Sequence, residues 1–259
     1  MIDRERVLKA YKDYIADYDI SDDKIRLKAV HTYKVAGNSE RIAKSLDLVS
    51  DDVDLAWLIG MLHDIGRFEQ LRRYHTFIDA DSIDHAAFGA DLLFKDGLIT
   101  RFTEDISLYP VIETSIRLHN LYVLPGGLDE RTFVFARIIR DADKADIYRI
   151  NIEFDPEVVY DTTKELMDRA CITDEVMEAS LSHDTVNRSL RRTPVDSLVG
   201  HISLVYGIYF PESIRIIKEQ GYINKLMEYR SDNPETNRRL KRICDEVNDY
   251  MLQYGTNGK

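Results

Sequence analysis

The chain has 259 residues, which is long for one domain and short for two, and a hydrophobic content of 44% that is enough for a substantial core. Its formal net charge of −11 argues against a protein that holds nucleic acid along an extended face, because such binding needs Lys and Arg to neutralise phosphates. With only Cys171 and Cys244, the sequence offers neither a disulfide framework nor a cysteine-based zinc site.

The first predicted element is an amphipathic helix over residues 3–18. This segment is charged and lacks the apolar region of a secretory signal, and no segment of the chain approaches the ~18 apolar residues of a membrane span. We therefore expect a cytoplasmic protein that binds neither a membrane nor a large nucleic acid. Its oligomeric state stays open.

A long helix is predicted next, with Ser21 as its N-cap and its end near Leu48. One stripe along this helix combines apolar and polar positions that we expect to be buried: Leu27, His31, Val35, Asn38 and Ile42. The positions expected to face water are Lys28, Lys34 and Arg41. An imidazole at position 31 is therefore predicted to point into the core.

The following helix is predicted over residues 51–65, with Ser50 as its cap and Gly66 closing it. Its last turns are apolar and deliver the pair His63 and Asp64. An unpaired carboxylate emerging from such a surface would cost several kcal/mol in desolvation. A cation is the expected partner.

Beyond a predicted loop, Asp84 is the expected cap of the helix HAAFGADLLF, which His85 opens. A further helix ends in RLHN, where His119 shares a face with Ile112, Ser115 and Ile116. Both imidazoles are therefore placed where a buried site could use them.

The helix RTFVFARIIRDADKADIYR contains three aspartates. Asp143 follows Ile139 by four residues and Phe135 by eight, which predicts an inward-facing carboxylate, whereas Asp141 and Asp146 are expected to point elsewhere.

The chain as a whole is predicted to be all-α and to form a single helical domain over residues 1–259. Residues 25–150 would form a core, and residues 151–259 a helical extension packed on it. Helices of the extension are predicted over 156–169, 174–181, 195–209, 212–219 and 235–253.

Six side chains from different helices could converge on one pocket: His31, His63, Asp64, His85, His119 and Asp143. Imidazole and carboxylate without thiolate suit a divalent Mn, Fe, Ni, Co or Zn ion rather than Ca. If Asp64 bridges two ions, a water between them could be activated. For each histidine the alternative is a hydrogen-bonded core residue, and for Asp143 it is an ion pair with an arginine.

The other histidines are weaker candidates. The second His-Asp pair, His183 and Asp184, lies in a polar stretch and is predicted to be a solvated loop. His201 is expected to head an apolar helix as a packing residue, and His75 to lie in a loop that could overhang the pocket.

The arrangement H…HDIG…H…H…DADKAD resembles the HD-domain superfamily of metal-dependent phosphohydrolases over roughly residues 25–150. The pieces that carry the resemblance are His31-Thr-Tyr-Lys-Val, Leu62-His63-Asp64-Ile65-Gly66, Asp84-His85-Ala-Ala-Phe-Gly-Ala, Ile116-Arg-Leu-His119-Asn and Asp141-Ala-Asp143-Lys144. The resemblance implies a helical bundle of the HD type with additional C-terminal helices. It also implies one metal ion on His31, His63, Asp64 and Asp143, and a second on His85 and His119 with Asp64 bridging.

Many members with two metals carry lysine where this sequence has Arg67. Arginine keeps the positive charge and adds a planar fork suited to phosphate, so we expect Arg67 to bind phosphate and to be catalytic together with Asp64. The alternative for Arg67 is a surface salt bridge. Arg72, Arg73 and Lys144 are further candidates for substrate binding.

The implied activity is hydrolysis of a phosphoester, in a nucleotide or another small phosphorylated molecule, by a metal-activated water at a centre of one or two ions. Two alternatives stay open: a di-iron oxygenase of the HD type, and an HD sensor or scaffold without activity. Substrate selectivity would come from loops over 68–84 and 120–130 and from the C-terminal helices.

Overall fold

The computed structural model describes residues 1–256 of the chain. Within this range the protein contains α-helices and short 3-10 helices but no β-strand, which confirms the predicted all-α fold. The α-helices are α1 (Arg4–Ile15), α2 (Asp23–Ser45), α3 (Ser50–Leu62), α4 (Ile65–Tyr74), α5 (His85–Phe94), α6 (Tyr109–Leu118), α7 (Glu130–Glu153), α8 (Pro156–Tyr160), α9 (Lys164–Arg169), α10 (Asp174–Leu181), α11 (Pro194–Ile202), α12 (Pro211–Gln220), α13 (Tyr222–Met227) and α14 (Pro234–Thr256). Among these helices, none combines the length and the apolar character needed to cross a membrane.

The chain divides into two compact units. The first unit is Met1–Asp143 and the second begins at Lys144, so the boundary falls inside α7. All six candidate ligands belong to the first unit. The packing of the C-terminal helices on the core stays a prediction.

In the first unit, α2 and α3 approach closely enough for their backbones to touch. A Cβ atom added to Gly60 of α3 would lie 2.6 Å from the Cα atom of Ala36 in α2, so glycine is required there. The second half of α3, from Leu55 to Leu62, is buried on all sides. This close packing sets His31 of α2 beside His63, which directly follows α3.

Helices α4 and α5 cross at a pair of glycines. A Cβ atom on Gly66 would lie 2.7 Å from the backbone nitrogen of Gly89 and 2.7 Å from the carbonyl oxygen of His85. The prediction that Gly66 closes a helix is wrong, because Gly66 lies in the first turn of α4 and only His63 and Asp64 separate α3 from α4. The glycine instead allows the close approach that brings α5 to the start of α4.

Three helix starts show which side chains cap them. The N-cap of α2 is Asp22 and not the predicted Ser21. Ser50 is already helical, and Val49 precedes it without a side-chain cap. Asp84 caps α5 as predicted, since its carboxylate accepts hydrogen bonds from two backbone N–H groups of the first turn.

The loop predicted over 68–84 is shorter in the structure. Helix α4 continues until His75, which ends it in the left-handed conformation with φ of 59°. Arg72 and Arg73 are therefore helical, because they lie before this end. The remaining residues form what we call the 75–84 loop.

In the second unit, two of the predicted helices are interrupted and one helix is present that was not predicted. The segment 156–169 is divided into α8 and α9, because Asp161 adopts a left-handed φ of 54°. The helix predicted over 195–209 ends at Ile202 and continues as a 3-10 turn. Helix α13, which the sequence did not reveal, follows Gly221. Buried apolar side chains of α11, α12 and α14 are Val199, Ile202, Ile214, Ile217, Ile243 and Val247.

Candidate metal centre

The first group of candidate ligands meets at one oxygen of Asp64. His31 and His63 are both buried, and their ring centroids are 5.2 Å apart. The Oδ2 atom of Asp64 lies 3.7 Å from Nε2 of His31 and 3.6 Å from Nε2 of His63. The Oδ1 atom of Asp143, on α7, lies 3.0 Å from Nε2 of His31 and 3.9 Å from Nε2 of His63.

The second group meets the other oxygen of the same carboxylate. The Oδ1 atom of Asp64 lies 3.5 Å from Nε2 of His85 and 3.7 Å from Nε2 of His119. Both imidazoles are buried, the first at the start of α5 and the second just after α6. Asp64 therefore divides its two oxygens between two pairs of histidines.

Outer hydrogen bonds fix the orientation of three of these imidazoles. The Nδ1–H groups of His63 and His119 donate to backbone carbonyls three residues earlier, at 2.8 Å and 2.7 Å. Nδ1 of His85 lies 2.6 Å from Oδ2 of Asp79. Carbonyls and ionised carboxylates only accept, so each Nδ1 is assigned the proton and each Nε2 presents a lone pair to the centre.

These lone pairs create a demand for a cation. Within the described residues, the buried Nε2 of His63 has no hydrogen-bond partner. The Nε2 atoms of His85 and His119 face each other at 3.1 Å, a separation at which two acceptors repel. A bound metal ion removes both penalties, and the imidazole and carboxylate donors fit divalent Mn, Fe, Co, Ni or Zn.

Burial and local charge set the protonation of the centre. Burial lowers the pKa of His63 to about 4, and burial with the nearby charge of Arg67 lowers the pKa of His85 to about 3. Burial alone would raise the pKa of Asp64, but the charges of Lys28 and Arg67 outweigh it and hold that pKa well below its usual range. At neutral pH His63 and His85 are therefore neutral imidazoles and Asp64 is an ionised carboxylate, the forms that bind metals.

Arg67 is buried beside the centre and is not a surface residue. Its Nη1 donates to Oε1 of Gln70 at 2.7 Å, to the carbonyl of Phe77 at 2.7 Å and to Oδ1 of Asp79 at 2.9 Å. Its buried Nε has no hydrogen-bond partner among the described residues and lies 3.7 Å from Oδ1 of Asp64. The guanidinium is thus fixed at Nη1 while Nε faces the carboxylate.

Lys28 was predicted to face water, and this prediction is wrong. Its side chain is 13% exposed, and its Nζ donates to Oδ2 of Asp64 at 2.7 Å. Lys28 precedes His31 by three residues, a spacing that places both side chains on neighbouring positions of α2. That spacing is the sequence signal for Lys28, although it does not by itself fix where the long side chain ends.

Asp79 is a second residue that the sequence did not single out. Its two oxygens contact His85 and Arg67, and Oδ1 also accepts from Nε2 of Gln70 at 3.0 Å. Burial would raise its pKa, but the hydrogen bond from His85 and the charge of Arg67 hold the pKa well below its usual range. Because Asp79 lies in the 75–84 loop, no helical periodicity could indicate its role.

The other predicted substrate-binding residues lie in different surroundings. Arg72 and Arg73 both form ion pairs with Glu69, and both are more than half exposed. Lys144, in the second unit, donates to the carbonyl of Gly207.

His201 departs from its predicted position, whereas His75 lies where the 75–84 loop begins. His75 is exposed at the end of α4. His201 does not head a helix, since it lies in the last turn of α11. Its Nδ1 lies 2.9 Å from Oδ1 of Asn151, and its ring stacks on Tyr160 at 5.2 Å between centroids. Asp141 and Asp146 are completely buried, whereas the side chain of Asp143 is 21% exposed, so it is the contact with His31 and not burial that distinguishes Asp143.

Comparison with known proteins gives one match. The family model described as HD domain matches residues 29–148, a segment that contains all six residues of the centre. Searches of curated proteins and of solved structures found no significant match.

Proposed function

The chain belongs to the HD-domain superfamily through residues 29–148, and on this premise we propose that it is a metal-dependent phosphohydrolase. Its substrate would be a phosphoester, in a nucleotide or another small phosphorylated molecule. The observation that carries the proposal is that the two oxygens of Asp64 face two separate pairs of buried histidines. In addition, Nε of Arg67 lies 3.7 Å from Oδ1 of Asp64.

The donor atoms divide into two sets that share Asp64. One ion would be held by His31, His63 and Asp143, and a second by His85 and His119. When bound, such ions lower the pKa of a coordinated water towards neutrality and screen the charge of the phosphoryl group.

The chain's own residues would orient the substrate and stabilise its charge. Arg67 is held through Nη1 by Gln70, Phe77 and Asp79, which leaves its Nε side facing the centre. A guanidinium fixed in this way can donate to a non-bridging phosphoryl oxygen as negative charge develops there. Asp64 would be essential because both halves of the centre use it.

The electrostatics favour an anionic substrate locally, although the net charge of the chain is −11. An anion approaching an acidic protein requires a cationic site at its destination. Arg67 and the bound ions would supply this positive charge.

The test is a hydrolysis assay of metal-loaded protein. Protein freed of metal and reloaded with Mn²⁺ or Fe²⁺ is incubated with nucleotides, cyclic dinucleotides and sugar phosphates, and phosphate or monoester release is measured. We expect turnover in the wild type and none in Asp64→Ala. Protein that retains metal but hydrolyses none of these would contradict the proposal, and oxygen consumption in the iron-loaded sample would instead indicate an oxygenase.

A further inference from the structure

Lys28 contacts the oxygen of Asp64 that also faces two histidines. Its Nζ lies 2.7 Å from Oδ2, while Nε2 of His31 and Nε2 of His63 lie 3.7 Å and 3.6 Å from the same atom. Lysine is rarely buried unless it is paired, and among residues 1–256 Asp64 is the carboxylate with which Lys28 forms its salt bridge. The matched HD segment begins at residue 29, after Lys28.

Lys28 and Arg67 lie on the two sides of Asp64, one near each oxygen. The ring of Phe77, in the 75–84 loop, contacts both cations: its centroid is 5.5 Å from Nζ of Lys28 and 5.6 Å from Cζ of Arg67. We call Lys28 and Arg67 the cation pair. Two cations against one aromatic ring, beside one carboxylate, form a compact site for an anion with several oxygens.

We infer that Lys28 is a second phosphate-binding residue, which acts with Arg67 and competes with a metal ion for Oδ2 of Asp64. This inference rests on the proposed function, because it takes the metal centre and a phosphorylated substrate as its premises. It adds a residue that neither the motif nor the family match assigns. It also narrows the substrate to one that presents a terminal phosphate, whose two negative charges match the cation pair.

The competition follows from charge. A metal ion held by His31 and His63 draws on the same oxygen that Lys28 contacts, so the attraction of Asp64 for the ammonium falls. An ammonium that is largely shielded from water then needs another anion. A phosphoryl oxygen at the centre supplies it, and one ammonium has three N–H groups with which to donate.

The first measurement is Mn²⁺ binding to metal-free protein by isothermal titration calorimetry. Lys28→Met keeps most of the aliphatic stem but removes the competing charge, so we expect Mn²⁺ to bind severalfold more tightly than in the wild type. Lys34→Met, an exposed lysine on the same helix, is the matched control and should bind as the wild type does. Unchanged or weaker Mn²⁺ binding in Lys28→Met would overturn the competition.

The second measurement is the binding of inorganic phosphate to the Mn²⁺-loaded protein, again by calorimetry. Loss of one charge-assisted hydrogen bond predicts a phosphate Kd at least about tenfold higher in Lys28→Met. Lys28→Arg keeps the positive charge and should recover most of the affinity, while Lys34→Met should match the wild type. Phosphate affinity equal to the wild type in Lys28→Met would overturn the assignment of Lys28.

Folding and the proposed function are tested separately. Circular dichroism checks each variant, and Lys28→Gln serves as the second charge-removing variant if Lys28→Met does not fold. Wild-type protein that binds Mn²⁺ and phosphate but hydrolyses no phosphoester would reject the hydrolase activity, while the Kd differences at Lys28 would still decide this inference.

Discussion

The dipeptide His-Asp occurs twice in this chain, once after α3 and once after α10, and the two copies have opposite surroundings. His63 is completely buried, its Nε2 has no hydrogen-bond partner among the described residues, and Asp64 is 2% exposed. The side chain of His183 is 39% exposed, its Nε2 lies 2.7 Å from Oε1 of Glu246, and its ring stacks on Tyr206 at 5.1 Å between centroids.

The difference shows that the partners of the imidazole, and not the dipeptide, indicate a metal site. His183 contacts a carboxylate and the rings of Tyr206 and Tyr250. It is therefore more closely packed than the solvated loop residue that its polar neighbours predict. His63 uses Nδ1 on a carbonyl and turns Nε2 towards Asp64 and other candidate ligands. Of these two arrangements, the one around His63 needs an ion to complete it.

The largest expected difference between the two pairs appears when the carboxylate of each is removed in turn. Wild-type protein purified without chelator should contain about two metal ions per chain, and Asp64→Ala close to none, because both halves of the centre depend on that residue. The matched variant Asp184→Ala removes the exposed aspartate of the other pair and should keep the full content. Elemental analysis by mass spectrometry measures both, and equal metal content in the two variants would abolish the distinction.

A smaller effect is expected from one histidine of the second half. His119→Ala removes a ligand that lies 3.7 Å from Oδ1 of Asp64, the oxygen assigned to the second ion, so the metal content should fall from about two ions to about one. His183→Ala is the control from the other pair and should leave the content unchanged. If His119→Ala lost both ions, Asp64 could not be holding two separable sites.

His85 of the centre and His183 of the other pair each contact a carboxylate through one ring nitrogen. Asp79 accepts from His85 at 2.6 Å, and Glu246 pairs with His183 at 2.7 Å. Loss of such an outer partner of a metal ligand typically weakens metal binding ~10–100-fold. Asp79→Asn should therefore weaken binding of one ion within this range by calorimetry, while Glu246→Gln should not. Equal affinities in both variants would remove Asp79 from the centre.

Much of the first unit could be predicted from the sequence, because its signals are local. Helical spacing on apolar faces identified His31, His119 and Asp143, and the cap at Asp84 fixed the start of α5. Gly66 was misinterpreted because its role comes from the approach of another helix, which no local pattern records.

The residues around the metal ligands were harder to predict for two physical reasons. Lys28 has a long, flexible side chain, so its position on the helix face did not determine where its ammonium lies. Asp79 and the carbonyl of Phe77 lie in the 75–84 loop, whose path the sequence does not encode by periodicity. Side chains that lie on the periodic face of a helix were predictable, and those that reach the centre from loops or over long stems were not.

Acid should lower the stability of the metal-free protein, because His63 and His85 are buried as neutral imidazoles. The pKa values of His63 and His85 are lowered to about 4 and about 3, below the usual value of 6.5. The unfolded chain therefore binds more protons below pH 6.5, so this contribution to stability is complete above pH 6.5 and is lost as the pH falls towards 4 and 3. Thermal unfolding of metal-free protein should show the Tm falling in this range, with a smaller fall in His63→Gln. A Tm that falls equally in both proteins would contradict the assignment to His63.

The smallest effect is expected from the imidazole of the other pair. His183→Ala removes an exposed hydrogen bond with Glu246 and a stacked contact with Tyr206, each of which contributes about 1 kcal/mol. The free energy of unfolding, measured by denaturant titration, should fall by about 2 kcal/mol or less, and metal content should not change. The same substitution at position 63 removes a metal ligand and should lower the metal content. A loss of metal from His183→Ala would mean that the surroundings of an imidazole do not separate a structural histidine from a metal ligand in this protein.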